Sequence, residues 1–335
     1  MTKTLTLGMC LLLSTKALYT CDGCQCRVAT NSKNKLTFTI NFRYTNLGQL
    51  YGRESTHTAM ANSFTTFSRF QKGLNILHGG EDLLNGSYER YVTINMVANY
   101  RLTDRWMLST IVPVSDRSSK NITDVGSETS STFGLGDAVL LAGFGVYRNS
   151  KPNFESHWTL QAGVKLPTGK TNARTSDGDL VDMHIQSGSG SVDYLIGLDG
   201  AKQIQRWEFI SDVIYRWNSV GARDFQFGDF VNYRFGARYE LFNFNKSMLQ
   251  IDDASRRLRI FGGVNIDGEW EGREHQNKVI LENTGGHTLL LSPNIGFQWS
   301  KFTLGINYEI PIMRRLQGRQ LGQTSKVISE MSFYL

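Results

Sequence analysis

From about residue 35 onward the chain alternates apolar and polar side chains with a period of two, and this pattern limits the fold more than any other feature. Phe302, Leu304, Ile306, Tyr308, Ile310 and Ile312 share one face of an extended segment; Thr303, Gly305, Asn307 and Glu309 share the other. Trp158, Leu160, Ala162, Val164 and Leu166 alternate with Thr159, Gln161, Gly163 and Lys165. Trp207, Phe209, Ser211, Val213, Tyr215 and Trp217 alternate with Arg206, Glu208, Ile210, Asp212, Ile214 and Arg216. Successive strand side chains point to opposite faces, so each segment has an apolar face with aromatic ends and a largely polar one.

The pattern predicts strands over 36–44, 88–101, 105–114, 132–147, 156–166, 190–202, 206–218, 228–240, 257–270, 287–299, 301–312 and 324–335. Several exceed the roughly 9–11 residues that cross a bilayer at a tilt. Leu102-Thr103-Asp104, Gln203-Ile204-Gln205 and Ser300 are very short connections, whereas others are long, the longest spanning 45–87. Alternating tight turns and long loops are the signature of an all-β transmembrane antiparallel β-barrel with short periplasmic turns and long outer loops. Only 241–256 departs from it, a long connection where a short one is due. A soluble sandwich would need a very large second sheet to cover these faces, and no propeller repeat is present.

Composition agrees. With 33 Gly, 5 Pro, 13 Tyr, 19 Phe and 6 Trp in 335 residues, a helical bundle is not suggested. No run approaches the roughly 18–20 apolar residues of a spanning helix. A mean hydropathy of −0.29 fits a barrel, whose apolar band is hidden in alternation. The net charge of +6 is dispersed, without a basic block, so no nucleic-acid partner is expected. The last strand places Val327, Met331, Phe333 and Leu335 on one face, as in the C-terminal signal read by barrel-assembly machinery, although Leu335 replaces the usual terminal aromatic residue.

Lys3, the apolar stretch Leu5–Leu13 and the small residues of Thr15-Lys16-Ala17 read as a signal peptide over 1–17. A rival site before Cys21, in Leu18-Tyr19-Thr20-Cys21, would move cleavage to 20 and lipidate the cysteine. Residues 18–35 then form a Cys-containing periplasmic segment and 36–335 the barrel. Cys21, Cys24 and Cys26 have a C-x2-C-x-C spacing that could hold a soft metal such as copper or zinc; a local disulfide or a lipidated Cys21 are the alternatives. No other cofactor is implied.

With the apolar faces turned to lipid, Arg101, Lys165, Glu208, Asp212, Arg216, Arg234, Arg238, Arg257, Arg259 and Glu309 line the lumen. Their mixed signs admit two readings: a cross-strand ion-pair lattice, or a selective channel with a transverse field. The 45–87 connection is a candidate plug or lid. The histidines show no metal-ligand or catalytic spacing and read as solvated loop residues, as does the acidic segment Asp177-Gly178-Asp179…Asp182-Met183-His184. His287 and Ser292 have opposite parity and cannot form a nucleophile–base pair, so no enzyme is expected.

Phe133-Gly134-Leu135-Gly136-Asp137, Gly163-Val164-Lys165-Leu166-Pro167-Thr168-Gly169 and Gly188-Ser189-Gly190-Ser191-Val192-Asp193 each lie at a strand end. In order and spacing they resemble the outer-membrane family described as "putative MetA-pathway of phenol degradation", over roughly residues 85–335; the cysteine cluster lies outside that pattern. The resemblance implies a bacterial outer-membrane barrel and passive transport. The expected function is a channel for small solutes, with outer-membrane lipid and small-molecule or ion cargo as partners. A metal-linked protein using the cysteines, or a structural barrel with a filled interior, are the alternatives.

Overall fold

The computed structural model describes residues 35–51, 87–123, 126–244, 258–318 and 320–335. The strands are β1 (Leu36–Tyr51), β2 (Tyr88–Arg101), β3 (Trp106–Thr123), β4 (Gly126–Leu135), β5 (Val139–Lys151), β6 (Phe154–Lys165), β7 (Asp193–Ile204), β8 (Trp207–Trp217), β9 (Phe225–Gln226), β10 (Phe230–Phe244), β11 (Leu258–Glu271), β12 (His275–Gln276), β13 (Val279–Ile280), β14 (Gly286–Trp299), β15 (Phe302–Leu316) and β16 (Gln320–Tyr334). Every pairing in the large sheet is antiparallel, and β1 pairs both β2 and β16, which closes the sheet. Because β4 and β5 both pair β3, they count as one stave, and the barrel has twelve staves. The three short strands β9, β12 and β13 form a separate sheet beside the mouth.

One end carries both described chain ends and the tight turns. Asn153, Gln205 and Ser300 adopt positive φ there (60°, 53° and 53°), which lets the chain reverse within a few residues. This is the periplasmic end of the predicted architecture. The opposite end carries the long connections 166–192, 218–229 and 272–285.

The outer face follows the predicted parity. Phe38, Ile40, Phe42, Ile94, Met96, Leu108, Leu140, Leu160, Ile196, Phe209, Val213, Phe235, Val264, Ile295 and Ile306 are exposed around the wall. Tyr100, Trp106, Trp207 and Trp299 ring its turn end; Tyr194, Trp217 and Trp270 ring its outer end. Amphipathic rings at two levels bounding an aliphatic band match the two interfaces of a bilayer. No helix of the described residues is long and apolar enough to cross a membrane.

The strand expected over 132–147 is interrupted at 136–138, where Gly136 N–H donates to the Pro113 carbonyl (2.9 Å) and Asp137 turns inward. The loop expected between the third and fourth strands is paired instead: Val114–Thr123 of β3 runs antiparallel to β4, from Val114↔Leu135 to Thr123↔Gly126. This hairpin continues β3 beyond the aliphatic band, and its Ser- and Thr-rich sequence buries Ser115, Arg117, Ser119 and Thr132, polar residues in which the apolar alternation of the other strands fades. Residues 241–244 extend β10, and the rest of 241–256 lies outside the described residues.

Candidate channel interior and mouth

The lumen has two unlike walls. On β10, β11, β15 and β16 the inward side chains are ions. Arg234 is fully enclosed and opposes Asp267 on β11 and Asp212 on β8 in register. Its guanidinium donates to the Asp267 carboxylate and approaches Glu309 at 3.3 Å. Glu309 is also ion-paired with Lys326 (3.0 Å), which is paired in turn with Glu269. Nearer the turn end, Arg238 meets Glu208 (2.8 Å) and Arg259 meets Glu240, with both guanidinium groups within 6.0 Å of the Phe261 ring centre. Taking an ion from water into such a site costs several kcal/mol, about 2–5 of which returns only while its partner is in place.

On β2, β3, β5, β7 and β8 part of the inward face is an apolar patch, set among polar residues such as Asn95, Asn99 and Ser109: Val97, Met107, Ile111, Val139, Leu141, Leu195 and Ile214, all at most 5% exposed. Gly163 and Gly197 leave room for it, since a Cβ on either would collide with Leu141 or Ile214. β3 and β11 are the third and ninth of the twelve staves, so Ile111 and Asp267 stand on opposite sides of the lumen. The interior is therefore not the uniformly polar face that parity alone suggested.

A third group lies at the outer edge of the apolar patch. Asp137 accepts hydrogen bonds from Gly169 N (2.9 Å), Ser189 N (2.8 Å) and Ser189 Oγ (2.7 Å). Lys165 sits between Asp137 (3.4 Å) and Asp193 and donates to Ser189 Oγ at 2.6 Å. Ala138 N–H donates to Thr168 Oγ1 (2.8 Å), whose hydroxyl donates to the Gly136 carbonyl (3.1 Å). The three segments that resemble a family thus converge on one knot, centred on a carboxylate. Gly169 and Gly188 make its narrowest point: a Cβ on Gly169 would fall 2.6 Å from Gly188 Cα, a clash no other residue type avoids.

Between the two halves of this knot, residues 170–187 leave the wall and cross the mouth. Val181, Met183, Ile185 and Gln186 are buried there. On the β3 side, Arg117 donates to the His184 carbonyl (3.0 Å) and Thr132 Oγ1 donates to the Ile185 carbonyl. On the far side, His184 Nε2 meets Glu274 at 2.8 Å, in the connection that follows β11, and Nδ1 meets Asp182 at 2.8 Å. Phe225 and Phe227 pack edge-on against the imidazole, each 5.7 Å between ring centres. Arg223 donates to the Val181 carbonyl (3.0 Å). Burial alone would push the His184 pKa down; hydrogen bonds to Asp182 and Glu274 outweigh it and hold the imidazole well above its ordinary value. The same hydrogen bond holds the Asp182 carboxyl below its usual range, against partial desolvation.

Of the residues chosen from sequence, Lys165 lies in the knot. Arg234, Glu309, Glu208, Arg238 and Arg259 form the ion-paired wall. Asp212 and Arg216 are buried on β8, and Arg216 lies 5.5 Å from the Phe230 ring centre. Arg101 is partly exposed at the turn end of β2. Arg257, Cys21, Cys24, Cys26 and the signal sequence lie outside the described residues. Of 45–87, residues 45–51 continue β1 and 52–86, on which the expected plug or lid falls, lie outside the described residues; among the described residues, 170–187 cross the mouth. His184 is not a free loop histidine, and Asp182 belongs to its ion pair. Asp137, Ser189, His184 and Glu274 went unrecognised as site residues. Asp137 and Ser189 sit inside the quoted motifs, but nothing in the sequence joins His184 to Glu274, 90 residues away.

A family model described as "Putative MetA-pathway of phenol degradation" matches residues 46–312. A comparison with curated proteins finds no match. Among solved structures, the chain is similar to the COG4313 outer membrane channel from Pseudomonas putida F1, at 13% identity over 90% of this chain and 96% of that one, with a TM-score of 0.56. The β domain of the Bordetella autotransporter BrkA also aligns (9% identity, 90% and 100% covered, TM-score 0.44), as does a Pseudomonas aeruginosa FadL homologue (8%, 91% and 91%, 0.35). The first likeness establishes the fold, and a closed barrel with this lipid-facing exterior is a bacterial outer-membrane protein.

Proposed function

The chain belongs to the family described as "Putative MetA-pathway of phenol degradation", and from that premise we propose that it is an outer-membrane channel for passive passage of small solutes, rather than an enzyme. One observation carries the reading. Inward polar atoms without a protein partner recur at successive heights of the charged side: Gln298 Oε1 near the turns, Asn265 Oδ1 at mid-height, and both amide atoms of Asn232 toward the mouth. A buried polar group without a partner costs about 1–3 kcal/mol, and water relieves that cost. Unsatisfied groups at several levels favour a hydrated file along the charged wall over a sealed core. The ionic side chains would then select cargo, and small polar or aromatic solutes fit a lumen with one charged and one aliphatic wall.

A structural barrel with a filled interior is the second reading. It is favoured by the near-complete burial of Arg234, Asp267, Glu309, Thr93 and Asn95. Swelling of liposomes containing the purified barrel separates the two. Entry of small neutral solutes, falling with solute size, supports the channel; impermeability to the smallest supports the filled barrel.

A further inference from the structure

The segment across the mouth has the construction of a lid. Its two ends meet at the Gly169–Gly188 neck, with Gly188 N–H donating to the Lys170 carbonyl at 2.8 Å, so 170–187 is a closed loop hinged on one point of the wall. It extends from that hinge across the mouth. Its far side is held by few contacts, chiefly the His184 imidazole against Glu274, with Arg223 beside it. The backbone of the same residue is held by Arg117, on the stave opposite β11. Two side chains therefore tie the lid to the far rim, His184 to Glu274 and Arg223 to the Val181 carbonyl and Met183 Sδ (3.0 Å each), and the pH-sensitive one is His184.

We propose that His184 and Glu274 form a proton-controlled latch that keeps the 170–187 lid closed over the lumen and releases it when the imidazole loses its charge. The proposal rests on the channel reading only for the consequence of opening; the latch itself is a structural claim.

The charges around His184 come from the lid itself and from the strands and connections about it. Asp182 is on the lid, Glu274 follows β11, and Glu271 at the end of β11 is a further carboxyl group, which burial keeps from ionising until near neutral pH. Arg223 lies across the lid near Asp182, Arg117 on β3 holds the backbone, and Arg216 on β8 stands near Glu271. The groups that touch the ring itself are carboxylates and the edges of two phenylalanines. A charged imidazole is therefore held from both nitrogens, whereas a neutral one can donate from only one. The side chain keeps 37% of its accessibility, so solvent protons reach it.

The sign follows from the direction of the shift. Closure raises the pKa of His184, so the closed state is favoured while the imidazole is charged, fully so below its ordinary value near 6.5. That advantage is lost as pH rises through the raised value. Because Asp182 is held below the usual carboxylate range, mild acid does not undo the pair from that side.

The test is amide hydrogen exchange of residues 170–187 in the full-length barrel, corrected for intrinsic exchange, from about pH 6 to about pH 10. The latch predicts that lid protection falls at least about tenfold over this range while strand amides stay protected. In Glu274→Gln the lid exchanges fast already at the acid end and the pH response disappears; His184→Gln does the same, should the first variant fold poorly. Glu274→Asp, which keeps the charge, restores a pH response. Equal lid protection at both ends of the range in the parent protein, or a response unchanged in Glu274→Gln, overturns the latch. Planar-bilayer currents recorded in parallel separate the claims. A pH-responsive lid without current leaves the latch standing and removes the channel, whereas current with a pH-insensitive lid does the reverse.

Discussion

Two walls of one lumen are held by different physics. On β10, β11, β15 and β16, Arg234, Asp267, Glu309, Lys326 and Glu269 form a chain in which each ion is stable because its neighbour is present. Across from it, Ile111, Val139, Leu195 and Ile214 are held by contact alone. The barrel's hydrophobic requirement is met on its outside, by lipid, so neither wall has to be a core. An aliphatic surface would have closed both at less cost than desolvated charge. The linked chain of ions is concentrated on one side, which gives a passage along it a preferred charge environment.

The comparison is broken most severely at its charged side. Arg234→Ala leaves Asp267 and Glu309 enclosed without their shared cation and should cost about 3–5 kcal/mol, read as a lower urea midpoint for barrel unfolding by tryptophan fluorescence. Adding Glu309→Gln should recover part of the loss, because one of the stranded charges goes with it. On the opposite wall, Ile111→Ala should cost about 2–4 kcal/mol by leaving a cavity, with no change in ion selectivity. Equal shifts in selectivity from both substitutions would erase the distinction between the walls. Asp137→Asn acts between them. It removes the charge facing Lys165 and weakens one acceptor set, at about 1–3 kcal/mol, and it should raise exchange in 166–192 before the strands loosen. Lys326→Met should cost less than Arg234→Ala, since the Glu309 carboxylate keeps Arg234 and the Glu269 side chain is partly solvated. By uncovering Glu269 it should move the reversal potential in a salt gradient toward cations.

Much of the barrel was legible because lipid imposes it. Lipid-facing residues such as Phe209, Val213 and Trp217 must be apolar at every second position, and that repetition marks strand, face and ends together. The partners of Arg234 and Arg238 were visible only as charges on neighbouring strands; register decided that Asp212 and Glu208 oppose them. The interruption at 136–138 was hidden because Gly134 to Asp137 reads as more strand. What breaks it is a set of bonds from residues 32 and 52 positions away. Leu195 and Ile214 point inward against the binary rule, and only closure of the sheet shows that they meet Ile111 and Val139. The lid was missed for a similar reason: its polar sequence resembles any solvated loop, and Glu274, which catches His184, belongs to a distant connection.

The most direct test of the account is single-channel recording of the folded barrel in a planar bilayer, with pH and salt gradient varied. The account predicts small, resolvable currents that increase as the lid is released at alkaline pH, and a reversal potential that Lys326→Met moves toward cations while Ile111→Ala leaves it in place. Absence of current above the bare bilayer at every pH, from protein shown to be folded, would contradict it.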